Sequence, residues 1–333
     1  MKVFLSGFGT VGQGVFEILL LKEKYLKDNY DASISVVGVV DSSSFNIDKK
    51  SLCGFCVLAT KTNSGKCGPN ARDGKPVTEI MDMTDYDVLI ETSPTDIENG
   101  GEGLANIRHA LASGKDVVTV NKGPLALEYP ALAKLAEENG CILKYEGSVG
   151  GAMPIISLCH TALAGQRIKS IRGILNGTCN YILSRMDTGL PFSQALREAQ
   201  QLGYAEADPT YDIEGIDAAS KVAILANSIF DRAVTIRDVS VTGITAITPE
   251  AVAMAAERGM VIRLIGEVSD DRLEVAPRLV PKGHALAISG TLNTAQVLTD
   301  LAGPITVSGR GAGKHETASA ILSDLISIME SRK

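Results

Sequence analysis

Residues 2–14 read KVFLSGFGTVGQG, and their order decides the fold of the first half of the chain. Lys2–Ser6 is a short β run, and Gly7-Phe8-Gly9-Thr10-Val11-Gly12 follows it directly. Helical apolar spacing then sets in over Val11–Lys24. A lone G-x-G-x-x-G carries little weight. Placed between a strand and the start of a helix, it reads as a dinucleotide-binding turn. Gly7 permits the tight turn, Gly9 lets the backbone approach a pyrophosphate, and Gly12 lets the helix lie close to the strand. The free N–H groups of the helix start receive the phosphate charge.

Outward from that turn, strand and helix alternate. Ser33–Val40 is a continuous β-rich run suited to a buried parallel strand, and Asp87–Glu91, Asp116–Val120 and Cys141–Tyr145 are further strands. Leu104–Ser113 and Pro130–Asn139 read as helices between them, the second closed by Gly140. The alternation implies a parallel sheet covered on both faces, an α/β fold. Residues 45–76, polar and Lys- and Gly-containing, read as a surface excursion with a short helix. Asp41 stands where an acid would meet the ribose hydroxyls of NAD. Ser42, Ser43 and Ser44 follow it, with Lys49 and Lys50 close behind, so the 2′-phosphate of NADP also fits and the choice stays open. Thr92 and Ser93, in ETSPTD at 91–96, leave a strand at its carboxyl end, where ligands of such sheets sit. Lys122 leaves the next strand; it is either a surface lysine or a grip on a substrate oxygen near the nicotinamide.

The second half holds an uneven distribution of charge. LGYAEADPTYDIEGIDAASK, at 202–221, gathers Glu206, Asp208, Asp212, Glu214 and Asp217 ahead of Lys221 and runs into an apolar helix. Four residues separate Asp217 from Lys221, which puts both on one helix face. A lysine among carboxylates can hold a substrate oxygen while its neighbours take an ammonium, which suits an amino-acid substrate.

A chain of 333 residues implies about two domains. A net charge of −7 and the absence of Trp disfavour nucleic-acid and anionic-membrane partners. No apolar run approaches the roughly 18 residues of a spanning helix, and the N-terminus is a strand rather than a signal peptide, so a cytoplasmic protein is expected. The six cysteines do not suggest a disulfide framework. Cys53 and Cys56, with Cys67 nearby, could form a redox pair or part of a metal site, but are read as small buried apolar residues on a helix, with Cys67 in a loop.

Taken together, GFGTVGQG at 7–14, GKDVVTVNKGPLA at 114–126, YEGSVGGAMPII at 145–156, GILNGTCNYILSRM at 173–186 and the 202–221 run resemble homoserine dehydrogenase, in family order and across most of the chain. The resemblance implies a Rossmann-type domain over 1–130, completed by about 305–333, and an α+β catalytic and dimerisation domain over 131–304. It implies NAD(P)-dependent interconversion of L-homoserine and L-aspartate 4-semialdehyde, an activity of threonine, methionine and isoleucine biosynthesis, by a homodimer.

Residue by residue, the resemblance makes Lys221 the catalytic lysine, Asp217 its companion and Lys122 a second lysine at the nicotinamide. Glu206 and Asp212 would bind the substrate's amino group, and Thr178 would lie beside the substrate. The turn at Gly7, Phe8, Gly9, Thr10, Val11 and Gly12, with Thr92, Ser93 and Gly313, would hold the cofactor. Glu146 and the carbonyls of Val149, Gly151 and Met153 would bind a monovalent cation, Na+ or K+, through hard oxygen ligands. Arg310 stands where the family pattern leads one to expect proline. No C-terminal regulatory domain or fused kinase is expected. The alternatives are a related NAD(P)-dependent dehydrogenase of another amino acid or semialdehyde, and a non-catalytic NAD(P)H-sensing regulator.

Overall fold

β1 (Lys2–Ser6) lies inside a seven-stranded sheet with β2 (Ser35–Val40), β3 (Ser44–Ile47), β4 (Arg72–Asp73), β5 (Val88–Glu91), β6 (Asp116–Thr119) and β7 (Leu143–Lys144). The order is β4-β3-β2-β1-β5-β6-β7, with β2, β1, β5, β6 and β7 parallel and β3 and β4 antiparallel at one edge. The computed structural model describes all 333 residues and divides into two units, Met1–Ser148 with Gly313–Lys333, and Val149–Ala312.

In the first unit both faces of the sheet are buried, as a parallel sheet requires. Val3, Leu5, Val39 and Ile90 join a core with Phe16 and Leu19 of α1 (Thr10–Tyr30) and with Ile321 and Leu325 of the C-terminal helix Lys314–Ser331. Phe4, Val37 and Leu89 point to the opposite face, toward Ile107 and Leu111, on the helix Gly101–Ala112. Thus the closing residues of the chain complete the nucleotide unit. The unit ends at Ser148 and resumes at Gly313, whereas the sequence reading ended it at 130 and resumed it at 305. The difference arises because β7 still belongs to this sheet, paired with β6.

Two expectations about residues 45–76 are corrected. The segment is not merely a surface excursion: it supplies β3 and β4 and α2 (Gly54–Ser64), and it buries Phe45, Val57 and Cys67 in the two cores. Ile47, Leu52, Leu58 and Ala71 pack against the same cores, half-buried. Cys53 and Cys56 are not buried on a helix. Both are exposed at the start of α2, where a disulfide joins them, and Cys53 is the N-cap. A further helix spans Lys122–Glu138, longer than read from the sequence, and departs from helical geometry at Glu128, ahead of Pro130, whose ring cannot sit on an unbroken helix.

The second unit carries a six-stranded sheet of β8 (Ile168–Ile174), β9 (Ser240–Val241), β10 (Met260–Ser269), β11 (Leu273–Pro281), β12 (Leu292–Thr299) and β13 (Pro304–Arg310), in the order β13-β12-β8-β10-β11-β9. Its pairings are antiparallel except β9 with β11. The helix Ile216–Phe230 lies against β10 and β11 and buries every residue from Asp217 to Ser228. A helix apolar on nearly every side belongs in a core, so the acid and lysine on it are held away from bulk water. No helix in the chain is long and apolar enough to cross a membrane.

Candidate active site

The glycine turn has the geometry of a cradle. Gly7 sits at φ +87°, and a Cβ there would lie 2.5 Å from the Ser93 nitrogen. A Cβ on Gly12 would lie 2.1 Å from the Gly7 carbonyl oxygen, so strand and helix meet backbone to backbone. Gly9, the N-cap of α1, has nothing within 4 Å of where its Cβ would be, and no side chain caps the helix. Open space above uncapped helical N–H groups fits a pyrophosphate. Thr92 fastens the turn: its Oγ1 lies 2.6 Å from the Gly7 carbonyl and 3.0 Å from that of Ser6, and its one hydroxyl hydrogen serves the pair. Ser93 N–H donates to Glu91 Oε1 at 2.7 Å, and Asn121 Nδ2 donates to Ser93 Oγ at 3.2 Å. Burial pushes the Glu91 carboxyl up, opposed by the hydrogen bonds from Ser93 and Asn106. Phe8 is 1% exposed and packs on Phe16, so its backbone, not its ring, remains for a ligand. Thr10 is exposed and Val11 half-buried. Lys122 opens the helix that Asn121 caps through Gly123 N–H (3.2 Å).

Asp41 follows β2, beside the turn, since Gly7 N–H donates to the Val40 carbonyl. Its Oδ1 accepts from the N–H groups of Ser43 and Ser44, both at 2.9 Å, and its Oδ2 pairs with Lys61 of α2. Burial works against the charge on Asp41, but Lys61 and the two serines outweigh it and hold its carboxyl at about 2. Lys49 and Lys50, noted in the sequence, lie exposed in the turn after β3. The lysine that reaches Asp41 is one the sequence reading missed, twenty residues downstream on the short helix expected within 45–76.

In the second unit, the acid run resolves into an inner and an outer set. Lys221 is 6% and Asp217 7% exposed. Lys221 Nζ donates to Asp217 Oδ2 at 2.8 Å and to the Leu175 carbonyl at 2.6 Å. Asn176, N-cap of the helix Gly177–Met186, ties the cluster together: its Nδ2 donates to Asp212 Oδ1 (2.7 Å) and to Asp217 Oδ2 (2.9 Å), while its Oδ1 accepts from Cys179 N–H (2.8 Å). Asn293 Nδ2 also donates to the Leu175 carbonyl, at 3.1 Å. Burial pushes the Asp212 carboxyl up; the Asn176 hydrogen bond opposes this and the charge of Asp217 adds to it. Glu206, Asp208 and Glu214 are exposed and stand outside this hydrogen-bonded set. Thr178 donates from Oγ1 to the Tyr204 carbonyl at 2.7 Å, which fastens the loop leading to Glu206. Sequence reading missed Asn176 and Asn293; an asparagine before a helix signals a cap, and a cap alone does not announce two carboxylates.

Of the remaining candidates, Glu146 is buried, and its N–H donates to Asp324 Oδ2 at 3.0 Å. Val149 and Met153 are buried, and Gly151 has φ +58°. A carboxylate and backbone carbonyls are the oxygen class that hard cations take. Gly313 is the N-cap of the C-terminal helix, in the nucleotide unit. Arg310 ends β13, and its carbonyl accepts from Ala152 N–H at 3.0 Å.

Two family models match the chain: one described as the NAD binding domain of homoserine dehydrogenase over residues 7–146, the other as homoserine dehydrogenase over residues 154–326. A homoserine dehydrogenase from Methanocaldococcus jannaschii is 48% identical over the whole of both chains. An NAD(+)-dependent homoserine dehydrogenase from Pseudomonas canavaninivorans is 38% identical over 99% of this chain and 96% of its own. Among solved structures, a hyperthermophilic archaeal homoserine dehydrogenase in complex with NADPH superposes with a TM-score of 0.86 at 28% identity, covering 99% of this chain and 98% of that one.

Proposed function

This chain belongs to the homoserine dehydrogenase family, an NAD(P)-dependent oxidoreductase acting on a CH–OH group, and from that premise we propose how its residues divide the work. Lys221 is the proton donor to the carbonyl oxygen of aspartate 4-semialdehyde, and the acceptor in the reverse direction. An ammonium carries three N–H donors, and Lys221 spends two of them, on Asp217 and the Leu175 carbonyl. The third is the one offered to the substrate. That observation carries the reading. Asp217 and Leu175 orient the amine, and the buried helix keeps water from competing for it. When bound, the nicotinamide supplies or takes the hydride.

Asp212 and Glu206 take the substrate's ammonium, with Thr178 beside it and Lys122 the second lysine at the nicotinamide end. Asp212 keeps Oδ2 outside its bond to Asn176, which uses Oδ1. The glycine turn, Thr92, Ser93 and Gly313 hold the cofactor. Asp41 accepts from the ribose hydroxyls, and its ionised carboxylate favours NAD over NADP by repelling a 2′-phosphate. Lys61 softens that preference without reversing it. Glu146 and the carbonyls of Val149, Gly151 and Met153 hold a monovalent cation in a structural role. The working form is a homodimer, acting in threonine and methionine biosynthesis. The test is a homoserine-dependent rise in nicotinamide absorbance with NAD and NADP side by side. Turnover with NAD exceeding that with NADP is expected; no turnover with either would overturn the assignment of roles.

A further inference from the structure

Cys53 and Cys56 have no part in the reaction above, yet their surroundings are those of an exchange site. Both sulfurs lie at the exposed start of α2, and Phe55 between them is 78% exposed, so nothing covers the disulfide. The turn beneath is firmly seated: a Cβ on Gly54 would lie 2.7 Å from Leu20 Cδ1, and Val57 is in the core. Cys56 N–H faces Cys53 Sγ at 3.4 Å. The far end of the same helix carries Lys61, which pairs with Asp41 and donates to the Gly65 carbonyl at 2.8 Å. One eleven-residue helix therefore joins an accessible disulfide to the acid at the ribose end.

We propose that Cys53–Cys56 is a thiol–disulfide exchange site for a dithiol reductant, and that opening it weakens cofactor binding through α2. The second clause rests on the reading of Asp41 as the ribose-binding acid. In the exchange, a thiolate of the reductant attacks Cys56 Sγ, the S–S bond breaks, and its electron pair leaves on Cys53 Sγ. That sulfur is the better leaving group because the helix N-terminus faces it. The reductant's second thiol then attacks its own bound sulfur, closes an internal disulfide and releases Cys56. Two electrons pass to the protein, and the two thiol protons of the reductant end on Cys53 and Cys56. An oxidised dithiol of the same class reverses the sequence. A monothiol is a poor substitute, because Cys53 lies three residues from the mixed disulfide and expels it.

Opening the bond removes the covalent tie across the first turn of α2 and leaves the Cys53 Sγ contact alone to hold it. A helix this short depends on its end turns, so fraying there loosens the hold of Lys61 on Asp41. The experiment uses the full chain equilibrated in dithiothreitol redox buffers, with glutathione buffers of equal potential as a second arm. Free thiols are alkylated, and the tryptic peptide SLCGFCVLATK, which holds these two cysteines and no others, is weighed. KM and kcat for NAD are measured on the same samples. The peptide is expected to switch between unmodified and doubly alkylated forms, with no stable glutathione adduct. KM for NAD should rise about threefold or more on reduction with kcat nearly unchanged, and a C53S/C56S variant should stay at the reduced value in every buffer. Full alkylation in protein never exposed to reductant, or a KM indifferent to the state of the peptide, would overturn the proposal. Absence of homoserine turnover in every buffer would instead sink the functional reading beneath it.

Discussion

Lys221 illustrates how a four-residue spacing becomes a chemical arrangement. The i, i+4 relation to Asp217 was visible in the sequence because helical geometry is local, and the structure puts the two within 2.8 Å. Asp217→Asn should therefore lower kcat by about tenfold to a hundredfold, at or below the low end of what a general acid itself contributes, with KM for the cofactor unchanged in steady-state assays. Asp41→Ser should raise kcat/KM for NADP relative to NAD by about tenfold, roughly 1.4 kcal/mol, measured with both cofactors at fixed homoserine. The same acid gives a pH signature. Its folded carboxyl sits at about 2, below its ordinary 3.8, so the folded form binds fewer protons than the unfolded form between those values. Its contribution, about 2 kcal/mol, is then complete above pH 4 and lost as pH falls toward 2. Denaturation of wild type and Asp41→Asn should differ at pH 7 and converge only below about pH 2. Asp41 itself could be read from its place after β2. Lys61 could not, because the contact between them depends on how the intervening hairpin and helix fold back.

At the scale of elements, the parallel strands and the glycine turn were legible because continuous β-rich apolar runs and the G-x-G-x-x-G spacing are local signals. A short helix was expected within 45–76, but the edge hairpin and the seating of that segment were not, since Phe45, Val57 and Cys67 find their core partners elsewhere in the chain. The helix Lys122–Glu138 was read in part, because Pro130 marks a start more often than an interior. The turn is the least forgiving element. Gly12→Ala would set a methyl 2.1 Å from the Gly7 carbonyl, and a backbone atom cannot step aside as a side chain can. Cofactor KM should rise at least about tenfold, with kcat at saturating cofactor affected less. The C-terminal helix makes the opposite case, for stability. Leu325 is fully buried with Phe16 and Leu19, so Leu325→Ala should cost about 2–5 kcal/mol in urea denaturation.

For the molecule as a whole, the chain supplies a nucleotide unit whose last helix comes from its final residues and a second unit whose central helix buries a lysine and a carboxylate. The two-domain plan followed from length and motif order, but the boundary did not: the strand at 141–145 was read, yet the division was set at 130, and only the pairing of β7 with β6 assigns that strand to the first unit. The proposed roles put cofactor recognition in one unit and proton transfer in the other, so they should be separable by mutation. The most direct measurement compares wild type with Lys221→Ala for homoserine-dependent reduction of NAD, alongside NAD affinity by fluorescence titration and far-UV circular dichroism. If Lys221 is the proton donor, kcat falls by about a thousandfold or more, within the range for general acid–base groups, with NAD affinity and fold retained. Turnover within a few-fold of wild type in the Lys221→Ala protein would contradict that role.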